Sequence, residues 1–457
     1  MSELPFELVV KPDSGAKDTE SLTCTTLLRV VPGKREVYDA LWKDHSVIVK
    51  VFLHKFRARY HLRKEWEGLK LLQAKGLSSP EPLFYGKTER GDCVVVLERI
   101  GDCSTVQDVV GGTIEGEEKL DLLFLVCKEL ARQHSKGVLQ KDLHLGNFLL
   151  GGDKLFALDT GQMRFCPVGV SRKKAISQLA LLAAYLPSSD LDTVKRLREE
   201  YAAVRGWHFS KAEETFFQKQ ISVHRKRGIS KGLKKCLRTG TRYLRIKSGG
   251  HRGVFDKSFC EGGEAFDFAK QIDVLMDSGR ILKDGNSSCV SQVKWNGAEV
   301  VIKRYNHKGL IHSLRHTVKR SRARRGWINA HRLGMLNIAT PKPISFVERR
   351  KGPLVWTSYL ITEYTKGTRL YDFLRDGNIT EQEKEKRWEQ VIGLINKMGS
   401  YGISHGDLKY SNVLITENGP VLTDLDSMKA HRFAWGCAIQ LSKDLKRLQT
   451  DRRSIST

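Results

Sequence analysis

From about Thr25 the chain runs in short stretches rich in apolar and β-branched residues, "TTLLRVV", "REVYDALW" and "SVIVKVF", each bounded by turn signals. A pattern of that length predicts strands. "RYHLRKEWEGLKLLQAKG" then spaces its apolar positions as a helix does, and a proline-containing turn leads into a further strand, "CVVVLERI". The order is sheet, one helix, sheet. The later half repeats it with "CVSQVKW", "AEVVIKRY", the helix-like "SRARRGWINAHRLGML", the turn "ATPKPI" and the strand "YLITEY". Aligned without gaps, "KEWEGLKLLQAKGLSSPEP" (64–82) and "RGWINAHRLGMLNIATPKP" (325–343) share the tryptophan and both prolines.

The polar positions repeat as well. "LQKDLHLGNFLL" (139–150) and "ISHGDLKYSNVLI" (403–415) each set an aspartate five residues before an asparagine, ahead of an apolar run. Twelve residues beyond each asparagine stands a second aspartate, giving Asp142, Asn147, Asp159 and Asp407, Asn412, Asp424 with identical internal spacing. An internal duplication is the simplest account. The glycine-rich "KSGGHRG" and "CEGG", around residues 247–263, mark the expected boundary, with domains over 1–250 and 251–457.

Composition narrows the setting. At 457 residues the chain is too long for one core, and 40% apolar with 28% charged residues fits a globular protein. The longest apolar stretch, "ISQLALLAAYL", falls short of the roughly 20 residues of a membrane span and predicts a buried helix. The opening "MSELPFELVVKPDSG" lacks a basic-then-apolar signal, so a cytoplasmic location is expected. Nine scattered cysteines form no CxxC pair and predict reduced thiols.

The net charge of +26 is concentrated. Residues 224–252 hold 11 Lys/Arg and no acid, and residues 303–332 hold 10 Lys/Arg, four His and no acid. Unbalanced runs of this length predict an anionic partner. Sparse aromatic interleaving disfavours nucleic acid. An anionic membrane surface or a phosphorylated glycolipid is expected instead.

Asp, then Asn five later, then Asp is the spacing of the kinase catalytic loop and metal motif. There the first Asp serves the acceptor hydroxyl, while the Asn and second Asp hold Mg²⁺ against the nucleotide phosphates. That assigns Asp142 and Asp407 to the acceptor, and Asn147, Asp159, Asn412 and Asp424 to metal. Phosphate-gripping strand lysines are available upstream as Lys50 in "VIVKVF" and Lys303 in "VVIKRY". A lysine in an apolar strand is costly unless paired. Helix residue Glu65 can pair with Lys50, whereas Gly326 occupies the matching position for Lys303.

Together "KDLHLGNFLL" with "DTGQ", and "ILKDGNSSCVSQV", "VVIKRYN", "SRARRGWINAHRL", "TPKPI", "HGDLKYSNVLI" and "LTDLDSM", resemble the lipopolysaccharide core kinases, the Kdo/heptose kinase family of the protein-kinase-like superfamily. The resemblance spans about residues 25–450 and implies two kinase-like domains in tandem. Each would be α+β, with a mainly antiparallel β N-lobe and a reduced helical C-lobe. It further implies ATP and Mg²⁺ as cofactors and phosphorylation of a sugar hydroxyl in the lipopolysaccharide inner core. The enzyme would then be peripheral at the cytoplasmic face of an inner membrane.

Three departures qualify the pattern. Gln140 stands where the motif histidine is expected, Asp424-Leu425-Asp426 places an acid where kinases carry glycine, and neither half has a full glycine-rich loop. After Asp424 only 33 residues follow, which favours a small acceptor over a peptide. The alternatives are a compact atypical protein kinase, and a scaffold in which one or both halves are pseudokinases.

Overall fold

The computed structural model describes residues 3–13, 18–53, 56–111, 116–186, 190–260, 262–306 and 320–456. They form two compact units, the first reaching Leu186 and continuing over Asp190–Arg225, the second running from Lys226 onward. Residues 307–319, the centre of the second basic run, lie outside the described set.

In the first unit the strands β1 (Phe6–Pro12), β2 (Glu20–Val31), β3 (Arg35–Trp42) and β4 (His45–Phe52) precede helix α1 (Ala58–Ala74), and β5 (Pro82–Thr88) and β6 (Cys93–Glu98) follow it. All pair antiparallel, in the order β1-β2-β3-β4-β6-β5, and β1 closes on β5 to make a barrel. Alternation along β6 shows how the chain feeds two cores. Val94 and Val96 point into the barrel, while Cys93, Val95 and Leu97 pack with Leu62 and Leu69 of α1. A strand covered on both faces is apolar throughout, as "CVVVL" is. The rest of the unit comprises β7 (Cys103–Thr105), α2 (Val106–Gly111), α3 (Glu117–Ser135), β8 (Val138–Gln140), β9 (Phe148–Gly151), β10 (Lys154–Ala157), β11 (Met163–Phe165), α4 (Arg172–Ala183), α5 (Leu191–Arg205) and the start of α6 (Lys211–Lys235). The run "ISQLALLAAYL" does enter a helical core, where Leu179, Ala180 and Leu182 of α4 pack with α3 and α5.

The second unit opens with the end of α6, then β12 (Tyr243–Ser248), β13 (His251–Asp256) and α7 (Gly262–Ser278). Strands β14 (Arg280–Lys283), β15 (Ser288–Trp295) and β16 (Ala298–Tyr305) lead to helix α8 (Arg322–Gly334), followed by β17 (Pro343–Lys351) and β18 (Leu354–Glu363). These strands make one antiparallel seven-stranded sheet, ordered β12-β13-β17-β18-β16-β15-β14. Here the sheet stays open. Its two faces are covered by helices, α7 with Phe268 and Ile272 on one and α8 with Trp327 and Ile328 on the other. Beyond it lie β19 (Thr368–Arg369), α9 (Leu370–Arg375), α10 (Glu381–Ser400), β20 (Ile403–Ser404), β21 (Val413–Thr416), β22 (Gly419–Leu422), β23 (Lys429–Ala430) and α11 (Ala434–Ser456). The architecture is therefore α+β, with the kinase-like order of antiparallel sheet, packed helix and helical part.

The division between units falls at Arg225/Lys226, inside α6, and not at 250/251. Gly249 and Gly250 have φ of 55° and 79°, and they turn the β12–β13 hairpin in which Ser248 pairs with His251. Two consecutive positive φ values are the geometry of a tight two-residue hairpin turn, so these glycines close a strand pair instead of linking domains. All nine cysteines are free thiols, seven of them buried.

Candidate functional site

In the first unit, strand β4 aims Lys50 at the underside of α1. Its Nζ lies 2.5 Å from Glu65 Oε1 and 3.9 Å from Asp159 Oδ1, with Lys50 and Glu65 both buried. Glu65 also accepts from the backbone N–H of Gly161 at 2.9 Å, and its carbonyl accepts from Thr160 Oγ1 at 2.9 Å. The helix is thus fastened to the segment that carries Asp159. Asp159 itself adopts φ 52° and ψ 48°, a left-handed turn that aims its carboxylate back at the lysine.

The loop before it is held by Asn147, whose Nδ2 donates to the Asp142 carbonyl at 2.8 Å and whose carbonyl accepts from Leu158 N–H at 2.9 Å. Asn147 Oδ1 is buried without a protein partner. Asp142 is exposed. Gln140 is buried and donates to Gln133 Oε1 at 2.9 Å, so it braces α3 and sends no side-chain bond to the Asp159 segment. Of the expected residues Lys50 and Asp159 line a cleft of about 430 Å³ whose walls include Val37, Ile48, Leu97 and Leu149, and Glu65 stands behind them on Lys50.

Two residues outside the expected set dominate the charge there. Arg35, the first residue of β3, lays its guanidinium across Asp159, with Nη1 3.1 Å from Oδ1 and Nη2 3.4 Å from Oδ2. Arg29 of β2 stands 3.8 Å from Oδ2. Burial alone would raise the Asp159 carboxyl, but Lys50, then Arg35 and Arg29, outweigh it and hold the group below the usual carboxylate range.

The second unit builds the same skeleton with different pairs. Asp424 again sits in a left-handed turn, φ 56° and ψ 53°, and Asn412 again donates from Nδ2 to the Asp407 carbonyl at 2.8 Å while its own carbonyl accepts from Thr423 N–H at 2.9 Å. Lys303 Nζ meets Asp424 Oδ1 at 2.6 Å. Burial pushes the Asp424 carboxyl up, and Lys303, then Arg322, overcome this and leave it lowered. No acid on α8 reaches the lysine. A Cβ on Gly326 would come within 2.7 Å of Leu360 Cδ2, so the position opposite Lys303 is filled from β18.

The helix is tied down in another way. Arg322, in the first turn of α8, pairs with buried Asp426, the acid found where a glycine is usual. Asn329 Nδ2 adds bonds to the carbonyls of Leu425 at 2.7 Å and Met428 at 3.1 Å. His405 is present and buried, its Nε2 2.9 Å from the Thr423 carbonyl, linking the catalytic loop to the strand before Asp424. Asp407 is flanked by Lys409 at 3.1 Å and Arg447 at 2.7 Å. Lys303, Asn412 and Asp424 line a cleft of about 500 Å³ with Val290, Val301, Leu360 and Leu414 among its walls.

Arg322 is therefore committed to an ion pair within the fold. All four arginines of α8, at 322, 324, 325 and 332, are half-buried. The first basic run differs, because Lys226, Arg227, Lys231, Lys234 and Lys235 on the second half of α6 are exposed.

Among the described residues no three His, Cys, Asp or Glu side chains gather to hold a metal alone. A cation here would rest on two protein oxygens, substrate phosphates and water, which suits Mg²⁺. Asn412 and Asp424 fit that role, since the Lys303 ion pair is made to Oδ1 of Asp424 and no arginine fork covers both its oxygens. Asn147 and Asp159 fit it poorly, because Arg35 covers both oxygens of Asp159.

Residues 269–456, somewhat less than half of the chain, match the model of the Lipopolysaccharide kinase (Kdo/WaaP) family. Shorter similarity extends to eukaryotic protein kinases. CBL-interacting serine/threonine-protein kinase 20 of Arabidopsis thaliana is 41% identical over 61 residues, 13% of this chain and 14% of that protein. The probable serine/threonine-protein kinase KIN1 homolog of Encephalitozoon cuniculi is 38% identical over 64 residues, 14% of this chain and 11% of the relative. Among solved structures, vaccinia related kinase 3 aligns at 12% identity with a TM-score of 0.30, covering 48% of this chain and 85% of that one. The Mycobacterium tuberculosis PknI kinase domain aligns at 17% identity with a TM-score of 0.30, covering 44% and 94%. The similarity to the Kdo/WaaP family thus falls on the second unit, over the region that carries Lys303, Asp407, Asn412 and Asp424.

Proposed function

We propose that this chain is an ATP-dependent phosphotransferase whose acceptor is a sugar hydroxyl, Kdo or heptose, of the lipopolysaccharide inner core. Phosphoryl transfer is centred on the second unit. The observation that carries the proposal is that Lys303, Asn412 and Asp424 line one cleft, with Asn412 bonded to the Asp407 carbonyl, within the segment that matches a lipopolysaccharide kinase family. The apolar walls suit a nucleotide base, and Lys303 suits its phosphates. Asp407 would orient the acceptor hydroxyl and take its proton, its two oxygens held by Lys409 and Arg447. Asn412 Oδ1 and Asp424 would hold Mg²⁺, which when bound neutralises charge on the transferring phosphate. Catalysis is then mostly positioning and electrostatics.

We read the two units as a tandem pair descended from one kinase-like ancestor, and the first as a nucleotide site with little or no transfer activity. Gln140 is turned to Gln133 and does not make the bond that His405 makes, and His144 occupies the place of Lys409 two residues after the acceptor aspartate. The exposed basic half of α6 would hold the anionic glycolipid, or the inner-membrane surface around it, at roughly 1 kcal/mol per residue near an anionic bilayer. No helix among the described residues is long and apolar enough to cross a membrane, so attachment would be peripheral.

The short matches to serine/threonine kinases favour a second reading, a protein acceptor. The test is transfer of labelled γ-phosphate from Mg·ATP to purified inner-core glycolipid, with a generic protein substrate in parallel. Labelled sugar supports the proposal. Label found only on protein gives the second reading, and no transfer to either supports the scaffold alternative.

A further inference from the structure

Strand register gives the two arginines at Asp159 their equivalents in the second cleft. Arg35 pairs across its hairpin with Phe52, two residues beyond Lys50, and Ser288 pairs with Tyr305, two residues beyond Lys303. Arg29 lies opposite Val37, itself opposite Lys50, and Lys283 lies opposite Val290, itself opposite Lys303. Arg35 is therefore the counterpart of Ser288, and Arg29 of Lys283. In the second unit no residue of the β14–β15 hairpin is paired with Asp424, which meets Lys303 at 2.6 Å with Arg322 of α8 nearby. In the first, three cations surround one aspartate.

We infer that the first cleft binds a nucleoside triphosphate without a divalent cation, Arg35 and Arg29 doing for the phosphates what a metal would do. The inference rests on reading that cleft as a nucleotide site. A guanidinium stays charged at any working pH, and its fork matches phosphate as well as carboxylate. Lys50, Arg35 and Arg29 set against Glu65 and Asp159 leave a net positive charge around the first aspartate. A doubly charged cation seeking Asp159 would have to displace Arg35 and then sit among the remaining cations. Arg35 spends two of its five donors on Asp159, so the others can take phosphate oxygens without breaking the pair. Asn147 Oδ1, the remaining free oxygen, is one neutral ligand and does not make a metal site alone. Glu98 and Asp108 also line the cleft, while Asp39 there is engaged by Arg99 at 2.8 Å.

The test is calorimetric titration of ATP into the full-length chain, in excess EDTA and in excess Mg²⁺, repeated in a Lys303→Met background that disables the second cleft. In EDTA about one ATP per chain should bind, with affinity within about threefold of that in Mg²⁺. Arg35→Ser should weaken binding in EDTA at least tenfold and make it magnesium-dependent, because Asp159 is then free. Arg29→Ser, at a mostly exposed position that folding tolerates, should weaken it by a smaller factor. Binding in Mg²⁺ but not in EDTA overturns the inference and leaves the nucleotide reading intact. Binding in EDTA that survives both arginine substitutions also overturns it. If the Lys303→Met protein takes up no ATP under either condition, the nucleotide reading of the first cleft itself fails.

Discussion

Helices α1 and α8 stand at matching positions against their sheets, yet they bring opposite charges to the same task. From α1, Glu65 receives Lys50 and the Gly161 N–H, and so ties strand, helix and metal-motif segment together. From α8, Arg322 reaches Asp426, the residue two beyond Asp424 as Gly161 is two beyond Asp159. The coupling persists with its polarity reversed. In consequence Lys303 is left to Asp424, while in the first unit Lys50 is taken by Glu65 and arginines of the hairpin attend to Asp159. One skeleton thus supports two charge arrangements, one open to a metal and one already neutralised by side chains.

The largest expected effects come from breaking each tether. Glu65→Ala would leave Lys50 buried without its nearest acid, and Arg322→Ala would leave Asp426 buried without a cation. Losing one partner of such a pair costs about 3–5 kcal/mol. Urea unfolding of the full chain should show each loss in a different transition, and Arg322→Met with Asp426→Leu should recover much of the second. A neutral Arg322→Ala would mean that α8 is held by packing alone.

Acid should weaken both units. Burial holds His134 and His331 at about 4, against about 6.5 in the unfolded chain. Between those values the unfolded chain takes up protons that the folded chain refuses, so stability falls as pH drops through this window. The loss is about 2 kcal/mol per histidine at pH 5. Urea midpoints at pH 7 and pH 5 measure it, and His331→Gln should flatten the second transition's dependence. The smallest effect concerns the missing acid on α8. Gly326→Glu must displace Leu360 and is expected to destabilise the second unit by about 1 kcal/mol without tightening Mg·ATP. A gain in both stability and affinity would show that the two tethers are interchangeable.

What could be read from the chain follows from how local each feature is. The Asp, Asn and Asp sets lie within 18 consecutive residues, and their hydrogen bonds are short-range, so spacing alone exposed them. Lys50 and Glu65 were visible because a lysine in an apolar strand needs a partner and α1 supplies one. Arg35 is not legible in the sequence, since nothing local says that it reaches an aspartate 124 residues away. Arg322 was hidden inside a basic run, although the unusual acid at Asp426 was the signal that a cation must be nearby. The glycines at 249 and 250 misled because a hairpin turn and a linker share the same composition. Closure of the first sheet through β1, against coverage of the second by α7, depends on pairing between distant segments that periodicity does not reveal.

On the proposed function, transfer belongs to the second unit and nucleotide binding to both. Asp142→Asn and Asp407→Asn, compared in full-length protein for transfer of labelled γ-phosphate to inner-core glycolipid, test it most directly. Asp407→Asn should reduce transfer by about 10²–10⁴-fold, the usual contribution of a positioned acid or base, and Asp142→Asn should leave it within about twofold. Equal losses from both substitutions, or a larger loss from Asp142→Asn, would place transfer in the first unit instead of in the second alone.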